Sequence, residues 1–137
     1  MPITRMEHFL VLTEDIEKTR IFYCEALGMC VGPRPPLAFA GYWLYIDDVP
    51  AIHIGEWTSY TAHSHELGIP VTTPAPGTGP VDHIAFNGSN YSEIRSRLEQ
   101  LAVPFAENIV PENGLRQLFL EDPNGVKLEI NIPADRT

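Results

Sequence analysis

The sequence predicts an α+β fold of two tandem β-α-β-β-β modules, forming a curved mixed sheet around a central cup. Two observations carry that prediction. The same order of elements is written in residues 1–56 and again in residues 81–137, and polar residues recur at matching places. His8 and His83 stand 75 residues apart, and His53 and Glu129 stand 76 apart. A fixed offset of this kind marks a duplicated unit.

The elements follow in order. "ITRMEHFLVL" alternates as a strand does, and "TEDIEKTRIFYCEALG" places Ile16, Thr19, Tyr23 and Leu27, with Phe22 and Ala26, along one helical face. Thr13 is the expected N-cap, and Gly28 suits a left-handed C-cap. After the proline-rich bend "GPRPP", the runs "GYWLYI" and "AIHIG" read as strands joined by the tight turn "DDVP". Residues 57–80 are rich in Thr, Pro and Gly and read as a linker or lid.

The second module repeats the plan. "PVDHIAF" is a strand, and "NYSEIRSRLEQLA" is a helix with an Asn90/Glu93 capping box and a buried stripe of Tyr91, Ile94, Leu98 and Leu101. "VPFAENI" and "LRQLFLEDPNGVKLEINI" supply the remaining strands. The "PNG" turn, with Gly125 in the left-handed position, pairs Phe119 with Glu129, Glu121 with Lys127 and Gln117 with Asn131.

Strand alternation turns these spacings into geometry. Phe9, Val11, Ile52, Ile54, Ile84, Phe86, Leu128 and Ile130 point toward the helices, so His8, His53, His83 and Glu129 point the other way. Trp43 and Tyr45 share the inner face, while Tyr42, Leu44 and Ile46 face the helix. Inward polar groups cost stability unless something satisfies them, and a divalent ion would satisfy all four.

Composition excludes several functions. Nine basic and eighteen acidic residues give a formal charge of −9, with the basic residues scattered along the chain. Such a surface repels nucleic acid and anionic membranes. No secretory leader or membrane-spanning run is evident, so the expected location is the cytoplasm. Cys24 and Cys30 form neither a C-x-x-C motif nor a disulfide framework and are expected to be buried or half-buried thiols.

The repeated plan resembles the vicinal oxygen chelate superfamily, which includes glyoxalase I, bleomycin-resistance proteins and extradiol dioxygenases. "EHFLVLTEDIEKTRIFYCEALGM" opens the first half, "DHIAF" the second, and "LFLEDPNGVKLEIN" closes it. The resemblance covers nearly the whole chain. It implies a cup around one divalent metal (iron, manganese, nickel, cobalt or zinc), with His8, His83 and Glu129 at the usual ligand positions. His53 stands where glyoxalase-like members often carry Glu, and a neutral imidazole there serves as fourth ligand, proton acceptor or both.

Met6, Leu10, Trp43 and Phe119 are the expected substrate walls, and Tyr45 and Glu56 are candidates for proton handling beside His53. The expected substrate is small and binds through two adjacent oxygens. The facial set of His8, His83 and Glu129, the aromatic walls and the lack of a basic cluster for glutathione favour chemistry like that of an extradiol dioxygenase. Phe119 argues against it, because those enzymes commonly carry Tyr at that position. Their additional catalytic His has only His63 or His65 as a substitute here. A glyoxalase I-like isomerase or lyase and a ligand-sequestering protein without turnover are the alternatives. The resemblance also implies a homodimer.

Overall fold

The computed structural model of the chain describes residues 2–137. Its elements run β1 (Phe9–Thr13), α1 (Ile16–Leu27), β2 (Cys30–Gly32), β3 (Gly41–Ile46), β4 (Val49–Glu56), α2 (Trp57–Leu67), β5 (Ile84–Asn87), α3 (Tyr91–Gln100), β6 (Phe105–Ile109), β7 (Arg116–Glu121) and β8 (Lys127–Ile132). The fold is α+β. Two compact units divide it: residues up to Cys24 with Gly28–Pro74, and Glu25–Leu27 with Ala75–Thr137.

Each unit holds a four-stranded mixed sheet of the same topology, β1-β4-β3-β2 in one and β5-β8-β7-β6 in the other. In each, the first strand runs parallel to the last, and the other pairs are antiparallel. The duplication read from spacing is a duplication of topology.

In the first unit, Phe9 and Val11 lie beside Ile52 and Ile54, while Leu10 lies beside His53. Tyr23, Leu44, Ile52 and Ile54 are fully buried, and each of the three aliphatic side chains contributes about 1.5–3 kcal/mol of apolar transfer. Helix α1 meets this apolar face, because Tyr42 donates a hydrogen bond to Glu17, and the Arg20 guanidinium lies 5.6 Å from the Tyr42 ring centroid.

The N-cap of α1 is Asp15, whose carboxylate accepts from Lys18 N at 2.9 Å. Thr13, the expected cap, is instead buried beneath the helix, where its hydroxyl oxygen accepts from Asp15 N and from the Thr19 hydroxyl, both at 3.1 Å. Asp15 lies one residue before the first helical position, where its carboxylate reaches the third backbone N–H. At the other end Gly28 has φ 74°, with Gly28 N bonded to Cys24 O, the αL form of helix closure, and Met29 N bonded to Tyr23 O.

Residues 57–67, read as part of a linker or lid, form helix α2. Its buried side runs through Ser64, with Trp57 and Tyr60 half-buried two turns and one turn before it, while Leu67 is exposed; two Thr, two Ser and two His leave no apolar stripe to read. The backbone from Gly68 to His83 is irregular. The first strand of each unit is shorter than its sequence pattern, so His8 and His83 each stand immediately before a strand.

Two helix details also differ. Leu101 is 42% exposed, because α3 ends at Gln100 and Ala102 turns to φ 54°. Asn90 caps α3 through its side-chain oxygen, but Glu93 closes the box on the Asn90 side-chain amide; the Asn90 N–H goes to Arg136 O. Cys24 is half-buried, whereas Cys30 is exposed on the edge strand β2.

The β7–β8 hairpin has the expected register, with Phe119 opposite Glu129, Glu121 opposite Lys127 and Gln117 opposite Asn131. Asp122 holds it. Its buried carboxylate accepts from Asn124 N at 2.7 Å and Val126 N at 2.9 Å, while Gly125 takes φ 78°. Asp122→Ala leaves both donors without that acceptor and is expected to cost about 2 kcal/mol, measured by urea unfolding. Asp122→Asn should recover part of it, and equal stability of all three proteins would show that the turn does not depend on this carboxylate.

Candidate active site

Each unit carries one pair of the predicted donors on the sheet face opposite the apolar core. In the first unit the pair is His8 and His53. Their rings stack with centroids 3.7 Å apart and planes within 10°, and Trp43 covers the other side of His53 at 4.1 Å and 14°. The stack follows from register, because Trp43 is the antiparallel partner of His53. His53 is thus an imidazole held between two aromatic faces.

That position sets its chemistry. Burial, followed by the neighbouring His8, lowers the His53 pKa to about 4, so the ring is neutral at neutral pH. Its Nε2 is buried and has no hydrogen-bond partner. A neutral nitrogen in that condition can bind a cation or accept a proton.

In the second unit the pair is His83 and Glu129, with His83 Nε2 3.8 Å from Glu129 Oε1. A row of amides steadies the carboxylate. Asn131 donates to Glu129 Oε2 at 2.8 Å, Gln117 to Asn131 at 3.0 Å, and Asn108 to Gln117 at 2.7 Å. One carboxylate oxygen is anchored, and the other faces the imidazole.

The two units share a further device. Glu7 lies 3.0 Å from His8 Nδ1, and Asp82 lies 2.9 Å from His83 Nδ1. Each carboxylate favours the proton on Nδ1 and so leaves the Nε2 lone pair for a cation, the usual outer-shell arrangement of metal-binding histidines. Lys127 holds Asp82 in turn, with Nζ at 2.9 Å and 3.0 Å from its two oxygens. The "EH" and "DH" dipeptides were visible in the sequence, but their role was not.

Among the described residues, no group of three or more His, Cys, Asp or Glu side chains could hold a metal ion. The four candidates stand as two pairs. A metal–imidazole bond of about 2 Å lies in the ring plane, so two stacked parallel rings cannot both ligate one ion. His8 or His53 must turn out of the stack before both could do so. The donor chemistry otherwise fits a divalent cation: imidazoles whose Nδ1 atoms are engaged by carboxylates, one anchored carboxylate and one buried nitrogen without a partner.

The other predicted residues are placed as follows. Leu10 lies beside His53, and Phe119 opposite Glu129, on their expected faces. Tyr45 lies across Gly32, where a Cβ would come within 2.5 Å of its ring, and its hydroxyl donates to Pro33 O at 2.6 Å. That proton is engaged in tethering a loop. Met6 precedes the strand and is 74% exposed, so within its own unit it is a surface residue and not a buried wall.

Glu56 does not join His53. It pairs with Thr13 on the face of Ile52 and Ile54, and its carboxylate accepts from Ser59 at 2.8 Å. The parity of β4 turns the two side chains to opposite faces. His63 is half-buried against Phe39 and Tyr60, whereas His65 is exposed.

Two β-α-β-β-β units, each presenting a pair of metal-compatible donors on one sheet face, define a protein of the glyoxalase fold. The family described as Glyoxalase/Bleomycin resistance protein/Dioxygenase superfamily matches residues 5–130, and the chain belongs to it. It is 28% identical over 135 residues to glyoxylase I 4 of Arabidopsis thaliana, covering 93% of this chain and 70% of that protein. Among solved structures, a virulence protein of Salmonella typhimurium aligns with TM-score 0.71 and 20% identity over 98% of this chain and 100% of that one. The fosfomycin resistance protein FosX of Listeria monocytogenes aligns with TM-score 0.70 and 17% identity over 96% and 95%. Lactoylglutathione lyase of Agrobacterium tumefaciens aligns with TM-score 0.68 and 15% identity over 96% of each chain. At such identities these structures speak for the fold.

The His53 environment has a measurable consequence in metal-free protein. An unfolded His titrates near 6.5, whereas folded His53 titrates at about 4. As pH falls, the unfolded state takes up this proton first. The His53 contribution therefore destabilises the fold progressively from about pH 6.5 to about pH 4 and is constant below. NMR titration should show His53 neutral at pH 5, and Trp43→Ala should raise its pKa toward 6.5; an ordinary pKa in the unsubstituted protein contradicts the sandwich.

Proposed function

We propose that the protein is a divalent-metal-dependent enzyme acting on a small substrate that binds through two adjacent oxygens. The observation that carries this reading is the matched pair of carboxylate-anchored imidazoles, His8 with Glu7 and His83 with Asp82, with Glu129 beside the second. In this reading His8, His83 and Glu129 hold the ion. A bound divalent ion would polarise the two substrate oxygens and neutralise charge developing on them.

The side chains supply the rest. In this reading His53, neutral in the folded protein, becomes a fourth ligand or the acceptor for a substrate proton once its stack with His8 opens. Trp43 and Phe119 offer flat apolar surfaces flanking the donors. The two donor pairs complete one site either within a chain or between the two chains of a homodimer.

Proton-transfer chemistry of the isomerase or lyase type is the reading best supported. Phe119 has no hydroxyl to donate, His53 has an unfilled basic nitrogen, and the chain is 28% identical to a protein named glyoxylase I 4. Oxygen-dependent ring cleavage is the second reading, favoured by the facial two-His, one-Glu subset and the aromatic walls.

Elemental analysis and calorimetric titration with Ni²⁺, Zn²⁺, Co²⁺, Mn²⁺ and anaerobic Fe²⁺ test the metal site. Glu129→Ala removes its only anionic ligand and is expected to weaken binding by at least tenfold and to cancel the metal-induced rise in Tm. Full metal affinity in that variant would show that the ion sits elsewhere. Turnover of a hemithioacetal in the nickel or zinc form supports the first reaction type, and oxygen uptake with catechol in the iron form supports the second. Tight ligand binding without turnover in every form means a sequestering protein.

Light scattering at micromolar concentration is expected to show a dimer. Activity recovered on mixing His8→Ala and Glu129→Ala chains places the site between two chains, whereas a monomer with full activity contradicts the shared arrangement.

A further inference from the structure

The three-ring stack of the first unit is fixed at one end and open at the other. His53 lies on β4 between β1 and β3, and Trp43, its antiparallel partner, backs it from β3. His8 is the outer ring. Its side chain is 33% exposed, and it stands before Phe9, the first residue of β1 registered with β4. Its Nδ1 meets Glu7, a carboxylate so exposed that the pair anchors the ring weakly in water.

The outer ring is therefore the one that can leave. Two parallel stacked rings cannot ligate one ion, and of the two it is His8 that lies outside the strand ladder, within reach of solvent. Its departure uncovers one face of His53. That face is flat, backed by the Trp43 indole at 4.1 Å and flanked by Leu10, which lies beside His53 on β1.

The spacing says what the uncovered face accepts. His8 sits with its ring centroid 3.7 Å from that of His53 and its plane within 10°, so the vacated place is one flat layer deep and opens where the exposed side of His8 stood. A planar ring regains all of the lost face-to-face contact. A puckered ring of similar size is held farther off by its axial hydrogens and forfeits much of the dispersion attraction.

We propose that the face of His53 now covered by His8 is the seat of a planar group of the substrate, an aromatic ring or a conjugated system, and that His8 keeps this seat shut until it turns to serve as a ligand. The inference deepens the proposed function and rests on it for the ion and for the two adjacent oxygens. It narrows the substrate class to molecules that carry those oxygens on, or next to, a planar system. The contact between His8 and His53 is then autoinhibitory, because a ligand whose seat is open only part of the time binds with an affinity reduced by that fraction.

Benzamide and cyclohexanecarboxamide, neutral amides of similar size that differ in flatness, test the seat in metal-free protein by NMR titration of the Trp43 and His53 ring resonances. His8→Ala is expected to bind benzamide at least tenfold more tightly than the unsubstituted protein does, and at least tenfold more tightly than it binds cyclohexanecarboxamide. Equal benzamide affinity with and without the His8 ring overturns the proposal, as does equal affinity of the variant for the two amides or binding that leaves both rings unperturbed. The unsubstituted protein with saturating Zn²⁺ supplies the same comparison without a substitution: its affinity for benzamide, and not for cyclohexanecarboxamide, should rise to that of metal-free His8→Ala. Zinc binding without that rise refutes the latch. Absence of zinc binding refutes the metal reading alone, since the comparison of His8→Ala with the unsubstituted protein needs no ion.

Discussion

Everything at the candidate site depends on the parallel pairing of the first and last strand of each module. That register places Leu10 beside His53 and Ala85 beside Glu129, and sends Ile52, Ile54, Leu128 and Ile130 into the cores. Because side chains alternate with period two, a slip of one residue would bury the donors and expose the aliphatics. The cost of burying an unpaired carboxylate and imidazole, added to the lost apolar burial, makes the observed register the one that folds.

The duplication is closer in backbone than in chemistry. His53 is stabilised by ring faces and kept neutral by burial, whereas Glu129 is held by a row of side-chain amides on Asn131, Gln117 and Asn108. An imidazole between rings needs no hydrogen-bonding neighbours at its faces; a carboxylate does. Both donors nevertheless face an aromatic residue on the neighbouring strand, Trp43 opposite His53 and Phe119 opposite Glu129.

Much of this was legible in the sequence because strand parity and hairpin register are strong constraints. The "DPNG" turn determined the β7–β8 pairs residue by residue, and spacing alone matched His53 with Glu129. Helix α2 was missed because its polar and β-branched residues leave no apolar stripe at helical spacing. Glu56 lies three residues after His53, and strand parity alone turns it to the opposite face, beside Thr13. The stacking of His8 on His53 could not be read at all, since parity decides which face a ring shares and not how it turns.

The loop between Gly32 and Gly41 is tied at both ends and across its middle. Tyr45 bonds Pro33 O, Arg34 bonds Phe39 O, Leu37 N bonds Pro35 O, and Ala40 is held through both its N–H, to Ser59, and its carbonyl, to Glu56 N. Pro33, Pro35 and Pro36 further restrict what the unfolded segment could explore. The ordering entropy of this wall is therefore met during folding and not on ligand capture. Any ligand that docked beside this loop would meet a surface already shaped, with no slow rearrangement of the loop to wait for.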